Sequence, residues 1–294
     1  MEAVTQGSEL KAEEILSTPD LITVGMQGDD VRRRIHGART TFVRVFEVHV
    51  DAPLASLPPG VTAGEFRIVG PPRTIESALD TARAVVALAG RTPVSAFSLA
   101  DLRALASERP QFATLCEQLH DTGVASVADA PLDMFVDDES LEAVLVARRA
   151  GLLVERLTVH AQPTDESSDK RERLALVERA KRVQDEAGGF KAFAPLPRAM
   201  SIAVPTTGYS DVRQIALARV VVTNIPSIQV DWPLYGPKLA QVALTVGADD
   251  VDGIAASDPG VLGTRRSPLE EIKNNIRAAA QEPVERDGRF ELMR

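Results

Sequence analysis

Residues Thr41–Val50 read TFVRVFEVHV, a run of β-branched and aromatic residues that alternates with period two. The pattern predicts a strand with Glu47, His49 and Asp51 on one face and Phe46, Val48 and Val50 on the other. Outward from it, strand-like and helix-like segments alternate. Glu65–Val69 (EFRIV) is a second strand, followed by a helix over Ile75–Ala89 that Gly90 ends. Pro93–Phe97 reads as a strand, and helices follow over Leu99–Ser107 and Gln111–Thr122. Val124–Val127 is a fourth strand, Asp138–Ala150 a helix, and Arg156–His160 (RLTVH) a fifth strand. Arg171–Ala187 carries Leu174, Val177, Ala180 and Val183 at helical spacing and stops at Gly188 and Gly189. A strand over Phe190–Ala194, a helix over Val212–Thr223, a short strand at Ile228–Val230 and a helix over Lys238–Val246 continue the alternation. Ser267, Pro268 and Glu270 form a capping box that opens a last amphipathic helix.

Six or seven strand–helix units predict an α/β fold, a full or partial (βα) barrel with parallel strands inside and helices outside. Ligands of such folds bind at the C-terminal strand ends. The chain divides into a helical segment over 1–40 leading into the barrel, the barrel over 41–255, and a helical extension over 256–294 packed on it. Leu54–Gly60 and Pro163–Lys170 read as mobile loops.

The 33 basic and 42 acidic residues give a net charge of −9, which argues against a nucleic-acid partner. The short basic runs at Arg32–Arg34 with Arg39, and at Arg265–Arg266, read as solvated surface. No apolar stretch is long enough for a membrane span. Met1–Lys11 is polar and acidic, unlike a secretory signal. One cysteine, Cys116, excludes an internal disulfide and a multi-cysteine zinc site. A cytoplasmic protein without a membrane or nucleic-acid partner is the expectation. Cys116 lies beside Leu115 and Leu119 and reads as a buried small apolar residue.

Longer motifs carry a family resemblance. Val183–Leu196 reads VQDEAGGFKAFAPL, against an approximate family pattern LQDETGGFQAFIPL. Asp211–Gly253 contains NIPSI, a W-x-x-x-G-x-K-x-A-Q-x-A-L helix and a GADDVDG turn, and Pro283–Phe290 reads PVERDGRF. Weaker echoes are DDVRRRIHG at Asp29–Gly37 and RIVG at Arg67–Gly70. These segments resemble the radical S-adenosylmethionine enzymes of menaquinone and deazaflavin biosynthesis: aminofutalosine synthase, dehypoxanthine futalosine cyclase and the FO synthases. The likeness implies a barrel of the radical-SAM type, a link to menaquinone (futalosine-pathway) biosynthesis, and two family cofactors, a four-iron four-sulfur cluster and S-adenosylmethionine.

The departures fall at the positions of that chemistry. The family places a Cys-x-x-x-Cys-x-x-Cys loop after the first strand, whereas this chain runs HVDAPLASLPPG from His49 to Gly60. The glycine pair after the second strand becomes Gly70, Pro71, Pro72, and proline offers no backbone donor. The later ligand turns become Ala128–Pro131, Ala161–Thr164 and Ala256–Gly260. Loss of both cofactors is the expectation.

What remains at the predicted strand ends is Glu47, His49, Asp129 and His160, candidates for acid–base catalysis, with His49, Asp51 and His160 as weak metal-ligand candidates. The alternative is that these groups bond one another and fill the space left by the lost ligands. Glu47, mid-strand, is expected to be buried and therefore to need a partner. Asp231, Trp232, Tyr235 and Lys238 form an aromatic, proline-stiffened turn that serves either as a ligand wall or as a helix entry. Three functions stay open: a pseudoenzyme that pairs with itself or with an active paralogue as accessory subunit; a binder of a pathway intermediate such as an aromatic carboxylate or a futalosine-like small molecule; and a repurposed lyase-like or hydrolase-like enzyme using the strand-top residues.

Overall fold

In the computed structural model, which describes residues 11–52, 54–135, 138–160, 169–199, 208–258 and 268–293, the alternating run is the strand β1 (Arg39–His49). It is followed by β2 (Glu65–Val69), β3 (Val94–Ala96), β4 (Ala130–Pro131), β5 (Arg156–Val159), β6 (Ala192–Pro197), β7 (Ser227–Asp231) and β8 (Asp250–Ala255). Their order is β3-β2-β1-β8-β7-β6-β5-β4, every pairing parallel. The two ends of this order also meet. Ser95 bridges Ser126 and Ser98 bridges Asp129, and the Ala128 N–H donates to Phe97 O at 2.7 Å. The ring therefore closes, with single bridges in place of a ladder between β3 and β4. The predicted strand at Val124–Val127 is this seam: Ser126 bridges Ser95 on one side and Leu153 on the other.

Helices α3 (Ile75–Ala89), α4 (Leu99–Leu105), α5 (Arg109–Asp121), α6 (Asp138–Arg149), α7 (Asp169–Ala187), α8 (Gly208–Val221), α9 (Trp232–Leu244) and α10 (Pro268–Ala278) follow the strands and cover the outer face. Two further helices, α1 (Ala12–Ser17) and α2 (Leu21–His36), precede β1 and pack on α8. That double cover explains why α8 has no polar stripe: Gln214 through Arg219 are all buried. Contact between α2 and the barrel depends on glycine. A Cβ on Gly28 would lie 2.1 Å from the Val246 carbonyl oxygen. Arg32, expected in solvent, is instead 2 % exposed, because it pairs with Asp29 at 2.9 Å and donates to Gly37 O at the helix end. Arg265, Arg266 and Ser267 lie outside the described residues.

The C-terminal segment also differs from a purely helical extension. After α10 it forms β9 (Glu282–Glu285), which pairs in parallel with the first half of β1, from Arg39↔Glu282 to Phe42↔Glu285. Arg286 then enters the floor of the barrel, where its guanidinium grips Asp250 at 2.6 and 2.7 Å under the Phe290 ring. Neither β8 nor β9 is visible as a strand in the sequence, since Asp249, Asp250, Asp252 and Gly253 look like turn residues. Beside this floor, Glu155 is buried and its Oε2 has no hydrogen-bond partner among the described residues. Burial raises its carboxyl to about 7, against the opposing pull of Lys191 and Arg156.

Two outcomes follow. Gly28→Ala overpacks the α2 seam and lowers unfolding stability by about 1–3 kcal/mol in a denaturant titration. For Glu155 the folded value lies above the ordinary 4.5, so its contribution is complete below about 4.5 and is lost as pH rises toward about 7. Glu155→Gln flattens that part of the stability–pH curve, and an unchanged slope in the variant would refute the assignment.

Candidate functional site

Strand register sorts the lumen-facing residues into layers. Val45 stands beside Glu65 and Glu47 beside Arg67, Arg67 beside Ser95, Gln229 beside Asp250, and Asp231 beside Asp252. The middle layer is a lattice of two acids and two bases. Arg67 donates to both oxygens of Glu65 at 2.9 Å and to both of Asp252 at 2.9 and 2.8 Å. Arg156 reaches Glu65 at 3.2 Å and Asp252 at 3.3 Å from β5, and Ser95 donates to Glu65 at 2.5 Å. All four charged residues are at most 4 % exposed. Burial alone would raise Glu65, but Arg67 and Arg156 outweigh it and hold the carboxyl at about 2. Asp252 is likewise held well below the usual carboxylate range, burial being overcome by Arg156 and Arg67. Such a lattice carries a large desolvation cost, offset only while every partner is in place.

Above the lattice the strand tops open into a cavity of about 210 Å³, lined by Arg67, Gly70, Ser98, Asp101, Asp129, Arg156 and Arg198. It adjoins a second space of about 510 Å³ that shares Ser98, Asp101, Asp129 and Arg198 and extends to His160. Local structure places these groups. Phe97, with φ at 58°, turns the chain sharply from β3 into α4, whose first turn carries Asp101 after the Ser98 cap. Thr158 holds Asp129 by a 2.9 Å hydrogen bond. Arg198, just past β6, pairs with Asp231 at 3.1 Å. Burial, then the nearby Asp129 charge, raise the Asp101 carboxyl, and His160 opposes them. Asp231 is also raised, by burial and by Asp252, with Arg198 opposing. Arg156 is 4 % exposed, and its Nε has no partner among the described residues.

The structure brings Asp129 and His160 to this mouth, and Asp231 stands behind it as the partner of Arg198. Trp232 and Tyr235 open α9, half-buried; the Tyr235 hydroxyl donates to Pro197 O and so ties α9 to the end of β6. Lys238 is exposed beyond a kink at Gly236, whose φ is 75°. Glu47 does face the lumen side, but it is exposed, so water at the open mouth solvates it and the expected buried partner is not required. His49 is exposed at the end of β1, and Asp51 pairs at the surface with Arg73 at 3.4 Å. Among the described residues, His49, Asp51 and His160 do not come together in a group of three or more side chains suited to a metal ion. Ala161–Thr164 and Pro259–Gly260 lie outside the described residues. Cys116 is wholly buried in α5, and burial pushes its thiol up to about 12.

Sequence reading missed Glu65, Arg67, Asp101, Arg156, Arg198 and Asp252. The available signal was charge at alternate positions inside short apolar strands, as in EFRIV and RLTVH. Asp252→Ala leaves Arg67 and Arg156 without a buried counter-charge. It should cost about 3–5 kcal/mol by denaturant unfolding, whereas Asp51→Ala, which breaks an exposed pair, should cost less than about 1 kcal/mol.

Residues 190–294 match the family model described as CofH/MqnC C-terminal region. The chain is 36 % identical over 140 residues to aminodeoxyfutalosine synthase of Thermus thermophilus, a span covering 42 % of this chain and 37 % of that protein. It is 32 % identical over 150 residues to cyclic dehypoxanthine futalosine synthase of Streptomyces coelicolor, covering 48 % and 37 % respectively. It is 29 % identical over 179 residues to the 5-amino-6-(D-ribitylamino)uracil–L-tyrosine 4-hydroxyphenyl transferase of Methanococcoides burtonii, covering 55 % and 49 %. The matched part thus spans less than half the length of each of these relatives. In fold, the chain resembles methylornithine synthase (TM-score 0.63, 12 % identity, 94 % of this chain and 95 % of that one). It also resembles HydG, a maturase of the [FeFe]-hydrogenase (TM-score 0.60, 15 % identity, 93 % and 71 %). In fold the barrel is similar to those two proteins, and in sequence, most directly through residues 190–294, the chain is similar to the CofH/MqnC proteins and to the aminodeoxyfutalosine and dehypoxanthine futalosine synthases.

Proposed function

We propose that this protein is a member of the menaquinone (futalosine-pathway) branch that works without an iron–sulfur cluster of its own, as a pseudoenzyme binding a pathway intermediate at its mouth. The carrying observation is where the cysteine stands. A four-iron four-sulfur cluster is held by several cysteine thiolates. The sequence has one cysteine, and Cys116 is buried in an outer helix with its thiol pushed up to about 12. The end of β1, where the resemblance places the cluster loop, carries exposed His49 and Asp51. The residues present do not fit the cluster.

The mouth favours a polar small molecule. The Arg156 Nε–H and the Arg198 guanidinium supply donors for an aromatic carboxylate or the oxygens of a futalosine-like compound. Asp101, whose carboxyl is raised by burial and by Asp129, adds oxygens for a ligand's donors. An active paralogue is the natural protein partner of such a binder, this chain then serving as its accessory subunit. A second reading, a repurposed acid–base enzyme, rests on Asp101, Asp129 and His160 lining one space at the strand tops.

Anaerobic reconstitution with iron and sulfide, followed by a visible spectrum and an S-adenosylmethionine titration, tests the main reading. The expected result is no cluster absorbance and no binding. A cluster-loaded protein would show the reading to be wrong. Thermal shift with aromatic carboxylates should raise the melting temperature of the wild type and not of Arg198→Ala. Turnover of any such compound, abolished by Asp101→Asn or His160→Ala, would favour the enzyme reading instead.

A further inference from the structure

A separate cavity lies outside the ring, between the barrel wall and the helices α7 and α8, with a volume of about 250 Å³. Its wall is formed by Val159, Pro195 and Pro197 at the ends of β5 and β6, and by Leu176 and Arg173 of α7. Gln214 of α8 lines it as well. That side chain is 1 % exposed, and neither its Nε2 nor its Oε1 has a hydrogen-bond partner among the described residues. A carboxamide removed from water without a partner is costly, and leucine at this place in the buried stretch Gln214–Arg219 would avoid the cost. Two other polar side chains of these outer helices do find partners for their amide and guanidinium nitrogens. Gln184 bonds Phe190 and the Asn224 carbonyl, and Arg219 bonds Gly247, Pro226 and Asp249. Gln214 differs in facing a cavity.

We propose that this cavity is a binding site for a small, neutral, planar ligand bearing an amide edge, a lactam or carboxamide whose C=O and N–H pair with Gln214. Two features set the ligand class. A carboxamide presents a donor and an acceptor side by side, and the complementary edge is an acceptor beside a donor, as in a cis-amide. The prolines, Val159 and Leu176 supply apolar walls, and the charged lining residues Asp133, Glu172, Arg173 and Arg179 balance in sign, so the site favours no net charge on its ligand. The volume falls below the range of about 300–1,000 Å³ typical of drug-sized ligands, so the site takes a single ring. The proposal does not rest on the reading of the mouth.

The test uses thermal shift on the full chain with 2-pyridone and benzamide, and with 2-methoxypyridine and methyl benzoate as partners that lack the N–H. The amide probes are expected to raise the melting temperature of the wild type and of Arg198→Ala, and the N–H-free partners to leave it unchanged. The shift is expected to vanish in Gln214→Leu. Ala175→Phe, which adds bulk at an exposed rim position, is expected to abolish it too and carries the test if Gln214→Leu does not fold. No shift with either amide, a shift of full size in Gln214→Leu or in Ala175→Phe, or a shift abolished by Arg198→Ala would each overturn the proposal.

Discussion

The salt-bridge lattice of Arg67, Glu65, Asp252 and Arg156 is the constraint on which the rest of this barrel depends. A ring of short parallel strands normally fills its interior with branched apolar side chains. Here the middle layer is ionic, and it links β2, β5 and β8, strands spread around the ring. Net charge within the quartet is zero, and each carboxylate accepts from more than one donor, which is the condition under which buried ions are tolerated. The lattice also sets the depth of the mouth. Of its four charged residues, Arg67 and Arg156 line the cavity, and Glu65 and Asp252 do not.

The same arrangement gives the mouth its electrostatic character. Arg198 and Asp231 form a partly exposed pair, and Arg198 shares the opening with Asp101 and Asp129, the Asp101 carboxyl being raised by burial and by its neighbour. Donors and acceptors alternate around a small opening. On the proposed reading of the mouth, this pattern suits a ligand carrying both kinds of group.

The alternation of strand and helix was legible in the sequence because outer helices and apolar strands have distinct periods, and glycines at Gly90, Gly123 and Gly151 punctuate them. The barrel type came from motifs in the last third of the chain, where the family model also matches. The ionic interior was not legible. In β8 the lumen-facing acids Asp250 and Asp252 resemble turn residues, and nothing local says that their partners lie on β2 and β5 or beyond β9. Glu47 shows the converse. Its face was assigned correctly from parity, but burial depends on how far the mouth gapes, a property of the assembled ring. Asp129, His160 and Asp231 were found because strand ends are where such folds keep their polar groups, whereas Asp101 came from a helix start and Arg198 from a loop.

The pairing of β9 with the first half of β1 has a consequence for the chain as it is made. The Arg44–Glu285 ion pair joins residues 241 positions apart, and a contact so distant carries a large loop-closure cost and slows folding. At synthesis rates of roughly 5–20 residues per second, β1 waits on the order of 10–50 s for this neighbour to emerge from the ribosome. Throughout that interval its lower edge offers unpaired backbone groups, the feature that templates unwanted strand addition. The nascent barrel thus keeps an open edge until its closing strand arrives.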